Sequence, residues 1–314
     1  MAQRRNRPRP NGKRSLSEED LERLRLAFDD DVVDPRRNLY GSDSLTWRVN
    51  REAALLLGGG RALLLQLAHP LVAAGVAQHS NFRRDPLQRL LRTLELMLTI
   101  TFADAGGAIR AVRQIETVHA RVTGVLDADI GPFPKGTRYD ANDPELLLWV
   151  HATLVDSALL VYERFVGRLT PRERARYYEE SKRGGRILGI PSDLLPSTLP
   201  DFEDYMFEMY RGDILAVGSI GREVAEAVLW PVTPAGLRYA LVVPNFITFD
   251  LLPPAVRVRY GFAWGPGFGL AAQGLALLTR TALPLLPSFL RVMPAARSAT
   301  RSASGSKVAA KVRD

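Results

Sequence analysis

The sequence predicts an all-α protein built as a single large helical domain. Two observations carry that prediction. Helix-start signals recur along the chain: Ser17-Glu18-Glu19-Asp20, Asp143-Pro144-Glu145 and Thr170-Pro171-Arg172-Glu173 each join a capping side chain to a first-turn acid. Apolar residues follow these starts at helical spacing, and no run shows the alternation that a half-buried strand requires. At 314 residues and 46% hydrophobic composition the chain can bury a large core. The helical domain is placed at 15–296, between basic tails at 1–14 and 297–314.

Taken in order, the Ser17 start launches Leu21, Leu24, Leu26 and Phe28. Ser44 can cap a second helix holding Trp47, Val49, Ala53 and Leu56. The stretch 53–77 is apolar enough to resemble a membrane span. Arg61, His69, Pro70 and the glycines Gly58, Gly59 and Gly60 favour a buried, broken helix pair. Those glycines are no phosphate loop, since no strand precedes them and no Gly-Lys-Ser/Thr follows. Pro86 opens a helix whose apolar face runs from Leu87 to Ile100; Arg89 and Thr93, four apart, share another face. Spacing alone leaves that pair open to a solvated charge face as well. Another helix starts near Gly107 and carries His119, with Gly124 suited to its C-terminal cap. Asp143-Pro144-Glu145 launches Leu146 to Val166, with Trp149, His151 and Tyr162. Thr170 opens one helix and Thr198 or Asp201 another. Thr233-Pro234 begins a helix of mixed signals, and Pro253-Pro254 a short one ending near Gly261. The apolar segment Phe268–Leu290 reads either as a closing helix packed on the core or as an interfacial helix on a membrane; Pro284 and Pro287 argue against an uninterrupted span.

His119 has two readings. It is a core histidine hydrogen-bonded to a carbonyl, or an axial ligand to haem iron, which asks for a neutral imidazole on a rigid helix in a dry pocket. Glu116 lies one turn earlier, giving half of the Glu-x-x-His pair of di-iron bundles. The other histidines, His69, His79 and His151, follow Gln66, Val76 and Leu148 at that spacing, so the second half is missing. His69 and His151 remain rival ligands, with Trp149 and Asp156 as structural partners for His151.

The net charge of +8 belongs to the tails. Six basic residues occupy 1–14, and five basic residues with one acid occupy 297–314, so the body is slightly acidic. That distribution gives no nucleic-acid footprint and suggests flexible ends able to meet anionic lipid. The absence of cysteine excludes disulfides, iron–sulfur clusters and thiolate haem ligation. No apolar run follows the first ten residues, so no secretory signal is expected.

One ordered set of motifs resembles a known family. Leu65-Gln-Leu-Ala-His-Pro70, His79-Ser80-x-Phe82, Arg89-x-x-Arg92-Thr93, His119-x-x-Val122-x-Gly124 and Tyr139-x-Ala141-x-Asp143-Pro144-x-Leu146-x-x-Trp149-x-His151 resemble the latex-clearing proteins (rubber oxygenases) and MpaB-type oxygenases over roughly residues 44–295. The resemblance implies a globin-like helical core holding haem b, with His119 as the axial iron ligand and His151 or His69 as the alternatives. It also implies Arg89 and Thr93 as catalytic groups, with Arg89 and Arg92 close to the haem. Arg92 stands where the rubber enzymes carry lysine; lysine can shed its proton and approach iron, arginine cannot. The implied activity is oxygenation of a hydrophobic, isoprenoid-like substrate through O₂ activation, with a non-catalytic membrane-associated haem or lipid binding protein as the alternative. Expected partners are that small hydrophobic molecule and, peripherally, a membrane surface, in a cytoplasmic setting; nothing indicates an oligomeric state.

Overall fold

A computed structural model describes residues 16–79, 86–231 and 239–300, with the backbone alone at 86–90. The fold is all-α apart from one two-stranded sheet. Helix α1 (Glu18–Phe28) begins with the expected capping box between Ser17 and Asp20. Helix α2 (Leu45–Asn50) is capped by Ser44, whose hydroxyl accepts from the Trp47 amide at 3.0 Å. It stops short of Leu56: the chain breaks at Arg51-Glu52 and resumes as a 3₁₀ turn, Ala53–Gly58. Then come α3 (Gly59–Ala68) and α4 (Pro70–His79), and the pair including the 3₁₀ turn is bent by 102° at His69. Pro70 has no amide hydrogen to continue α3, and His69 adopts an extended backbone there.

Helix α5 (Pro86–Phe102) turns back through Ala103 and Asp104 into α6 (Ala105–His119). Asp104 caps α6, accepting from the Gly107 amide at 2.6 Å. The two helices pack as a hairpin, with Leu96, Met97 and Ile100 against Ile109, Val112 and Ile115. After α6 the strands β1 (Thr123–Val125) and β2 (Arg138–Asp140) pair antiparallel, Gly124 opposite Tyr139. Three residues per strand are too short for alternation to register, so no strand is legible there from periodicity. Gly124 is therefore no helix cap. The helix ends at Ala120, and a Cβ at Gly124 would lie 2.5 Å from the Tyr139 hydroxyl. Its role is to let β1 approach that ring.

Helix α7 (Pro144–Val161) is the centre of the molecule, capped by Asp143 and continued by a wider π turn, Tyr162–Val166. It packs on α3 and on α8 (Pro171–Ile187), and the Thr170 capping box starts α8 as the sequence indicates. Residues 144–166 are long and apolar enough to cross a membrane, but 61% of their most apolar window is buried inside the protein, as in a core helix. Leu64, Leu65, Trp149, Ala152, Tyr177, Phe202 and Leu252 form the main core around it. Helix α9 (Leu199–Arg211) is capped by Thr198. Helix α10 (Ser219–Leu229) was not foreseen: its cap is Gly218, which supplies no side chain to announce it. The start expected at Thr233-Pro234 lies outside the described residues. Helix α11 (Val242–Leu251) confirms the helical reading of that mixed segment, and α12 (Pro254–Tyr260) ends at Gly261, φ 78°, as its sequence indicates. Helix α13 (Pro266–Ala282) follows.

The glycine triplet has a packing role. A Cβ on Gly60 would fall 2.2 Å from the Thr248 hydroxyl, so α3 can approach α11 only without one. The next residue, Arg61, is buried at 3% exposure and joins four elements. Its guanidinium donates to Leu251 O at 2.8 Å, Ser157 Oγ at 2.6 Å, Asp156 Oδ2 at 2.6 Å and Tyr210 OH at 3.1 Å. At the C-terminal end of the described residues, 294–300 are helical, with Met293 and Ala296 buried against Trp47 and Phe102. The segments 1–14 and 301–314 lie outside the described residues.

Candidate functional site

The α5–α6 hairpin decides where the sequence-named residues meet. Arg89 stands thirteen residues before the end of α5 and His119 closes α6, so both lie at the open end of the hairpin. Arg92 and Thr93 are one turn further along α5, on exposed positions. The Arg89 side chain lies outside the described residues. Leu91 and Val118 flank this end and are 53% and 61% exposed, although both are apolar. The face around His119 is thus less covered than helical spacing suggested: Val112 is buried, Ile115 half-buried and Val118 in the open.

His119 itself is half-buried at the root of the β-hairpin. Its carbonyl accepts from the Val122 amide at 2.8 Å, and Val122 in turn accepts from Ala141 at 3.0 Å. Burial pushes the imidazole below its ordinary pKa, against the upward pull of Asp140, Glu116 and the Ala141 backbone. Burial therefore favours the neutral ring. Its Nδ1 is buried and has no hydrogen-bond partner. A buried polar atom without a partner is uncommon and points to a missing group or to strain. Glu116, the other half of the di-iron spacing, is ion-paired with Arg23 of α1, and no cluster of three or more metal-ligating side chains occurs among the described residues.

The rival histidines have other surroundings. His69 Nδ1 accepts from the Leu71 amide at 3.3 Å, which caps the first turn of α4, and its ring packs on Phe133 with centroids 5.3 Å apart. Burial lowers its pKa to about 4. His151 is likewise lowered to about 4 by burial and lies against Gly184 and Gly185 of α8. The partners expected for His151 are engaged elsewhere. Trp149 Nε1 donates to Leu65 O at 3.2 Å, and Asp156 accepts from Arg61 and Tyr210. His79 reaches Thr123 O at 2.9 Å, and Tyr139 donates to Gln78 at 2.6 Å, tying α4 to the β-hairpin beside His119.

Two open clefts lie elsewhere. One, about 400 Å³, is lined by Arg48, Arg51, Arg172, Arg176, Asp43 and Glu173; the other, about 380 Å³, lies between residues 127–131 and 216–220. Neither includes a candidate ligand or catalytic residue named from the sequence. In the first, Arg48 is already paired with Glu173 at 2.7 Å and Arg176 with Glu180 at 2.8 Å, so it is a largely neutralised surface.

Comparison with known proteins agrees with the motif reading. The family described as ER-bound oxygenase mpaB/B'/Rubber oxygenase, catalytic domain, matches residues 47–281. Similar proteins include Uncharacterized protein Mb2261 of Mycobacterium bovis and Uncharacterized protein Rv2237 of Mycobacterium tuberculosis. Each is 23% identical over 235 residues, covering 72% of this chain and 87% of the relative. No solved structure matches. The matched span runs from α2 to the end of α13 and takes in the hairpin, His119 and the core helix α7. The chain therefore belongs to the mpaB/rubber oxygenase family and carries its oxygenase-type catalytic domain.

Proposed function

We propose that this chain is a haem b-dependent oxygenase acting on a hydrophobic, isoprenoid-like substrate in a cytoplasmic setting. The observation that carries the proposal is the buried, unpartnered Nδ1 of His119 on a ring held neutral by burial. A neutral imidazole with an uncommitted ring nitrogen is what a ligand to haem iron would have to offer. His69 fits less well, because its Nδ1 already serves the α4 amide. Haem, when bound, supplies the O₂ chemistry. The protein residues have simpler tasks. His119 would hold the cofactor, with α6 and the β-hairpin root fixing its ring. Leu91 and Val118 offer apolar surface for a macrocycle or a substrate to cover. Arg89 and Thr93 would donate hydrogen bonds toward negative charge developing at the haem, and Arg92 would keep its charge there.

Soret absorbance of protein expressed with haem precursor tests the first step. His119→Ala should lose the Soret band with helical circular dichroism unchanged. Retention of the band in His119→Ala, with loss in His151→Ala or His69→Ala, would move the ligand to the rival histidine. Arg89→Ala should keep the band and lose oxygen consumption with an isoprenoid by roughly a hundredfold, the usual effect of deleting one donor to developing charge. The exposed positions of Arg92 and Thr93 favour one alternative, a haem or lipid carrier without turnover. Wild-type protein with a Soret band and no substrate-dependent oxygen uptake would establish that alternative.

A further inference from the structure

The segment from α13 to Leu290 does not pack as a closing core helix. Only Ala272 and Ala276 of α13 are buried. On its outer side Leu277 and Leu278 are 65% and 64% exposed, and beyond it Leu285 is 83% exposed, with Phe289 and Leu290 also in the open. Val242 and Val243 of the neighbouring α11 add to the same uncovered apolar material. Such an extent of exposed leucine exceeds the scattered residues found on any soluble surface. The hydroxyls here make no demand on water: Thr279 donates to Leu275 O at 2.8 Å and Thr281 to Leu277 O at 3.0 Å, inside the helix.

Charge identifies the occupant. Between Asp250 and Asp314 there is no carboxylate side chain, while Arg257, Arg259, Arg280, Arg291, Arg297, Arg301, Lys307, Lys311 and Arg313 all lie in that interval. A second copy docked through the same face would bring these cations together. The terminal segments 1–15 and 301–314 are poor candidates for the occupant, since they contain no large apolar residues beyond Met1, Val308 and Val312. Arg291 is paired with Glu52 at 3.4 Å, but Arg280 lies on α13 itself and no acidic side chain follows Asp250 before Asp314. An apolar surface on a segment of that charge, flanked by Trp264, Phe246 and Phe268, matches an anionic bilayer interface. Pro284 and Pro287 interrupt the helix after Ala282, so it suits lying in the interface and not crossing it.

We infer that the outer face of α13 and the segment 283–290 dock on an anionic lipid surface. This inference holds whether or not haem is bound, and it adds to the reading above a place from which a lipid-dissolved substrate could be taken. Sedimentation with phosphatidylcholine/phosphatidylglycerol vesicles, compared with phosphatidylcholine alone, tests it. Full-length protein should pellet with the anionic vesicles, less so at high salt. The double variant Leu277→Ser/Leu278→Ser and the single Leu285→Ser alter exposed side chains and should fold; the double variant should lower partitioning at least about tenfold. Equal binding to both vesicle types, unchanged binding by the double variant, or a dimer in solution that the same variant dissociates would each overturn the inference. Soret absorbance read on the same samples separates the two proposals: retained haem with no lipid binding removes only this one.

Discussion

The interior around Arg61 and the open end of the α5–α6 hairpin are built in opposite ways. In the first, buried polar side chains are paired: Arg61 meets Leu251, Ser157, Asp156 and Tyr210, Trp149 meets Leu65, and Tyr260 donates to Leu64 O at 2.7 Å. In the second, His119 Nδ1 is buried without a partner while Leu91 and Val118 face outward. A satisfied buried network is spent on holding helices together; an unsatisfied one beside uncovered apolar side chains retains capacity for something else. Residues of one chemical class therefore divide by environment. His69 has its Nδ1 committed to a helix start, and His119 does not.

The contrast can be broken by measuring stability. Arg61→Met should have the largest effect, about 3–5 kcal/mol lost in urea unfolding, because it strands Asp156 and Tyr210 among four elements. Next comes acid. His69 has a folded pKa near 4 against 6.5 unfolded, so below pH 6.5 the unfolded chain binds a proton that the folded one refuses. Stability should fall as pH drops from 6.5 toward 4, by up to about 3 kcal/mol for this one group. His69→Asn keeps an acceptor for the Leu71 amide and should remove about half of the slope, leaving the comparable share of His151; an unchanged slope would assign the acid sensitivity elsewhere. Gly124→Ala places a methyl against the Tyr139 ring and should cost about 1–3 kcal/mol in the same assay. The smallest effect expected is His119→Ala in the haem-free protein, under about 1 kcal/mol, since no hydrogen bond to its Nδ1 is lost. A loss there as large as that of Arg61→Met would erase the distinction between the two regions.

What could be read in the chain itself was local. Ser17, Asp143, Thr170 and Thr198 announce their helices because a capping side chain acts on amides two or three residues away. The break at His69-Pro70 is equally local, since proline removes a donor and restricts its predecessor. The ordered motifs also carried the family, which residues 47–281 match. Other features depended on distant partners. Gly124 looked like a cap until Tyr139 was opposite it. Gly60 had no visible reason without Thr248, and Asp156 turned from a partner of His151 into one of Arg61, 95 residues away in sequence. The apolar run 268–290 could be core or interface by composition alone. Burial is a property of what lies across from a side chain, and only the folded chain shows that its leucines face outward.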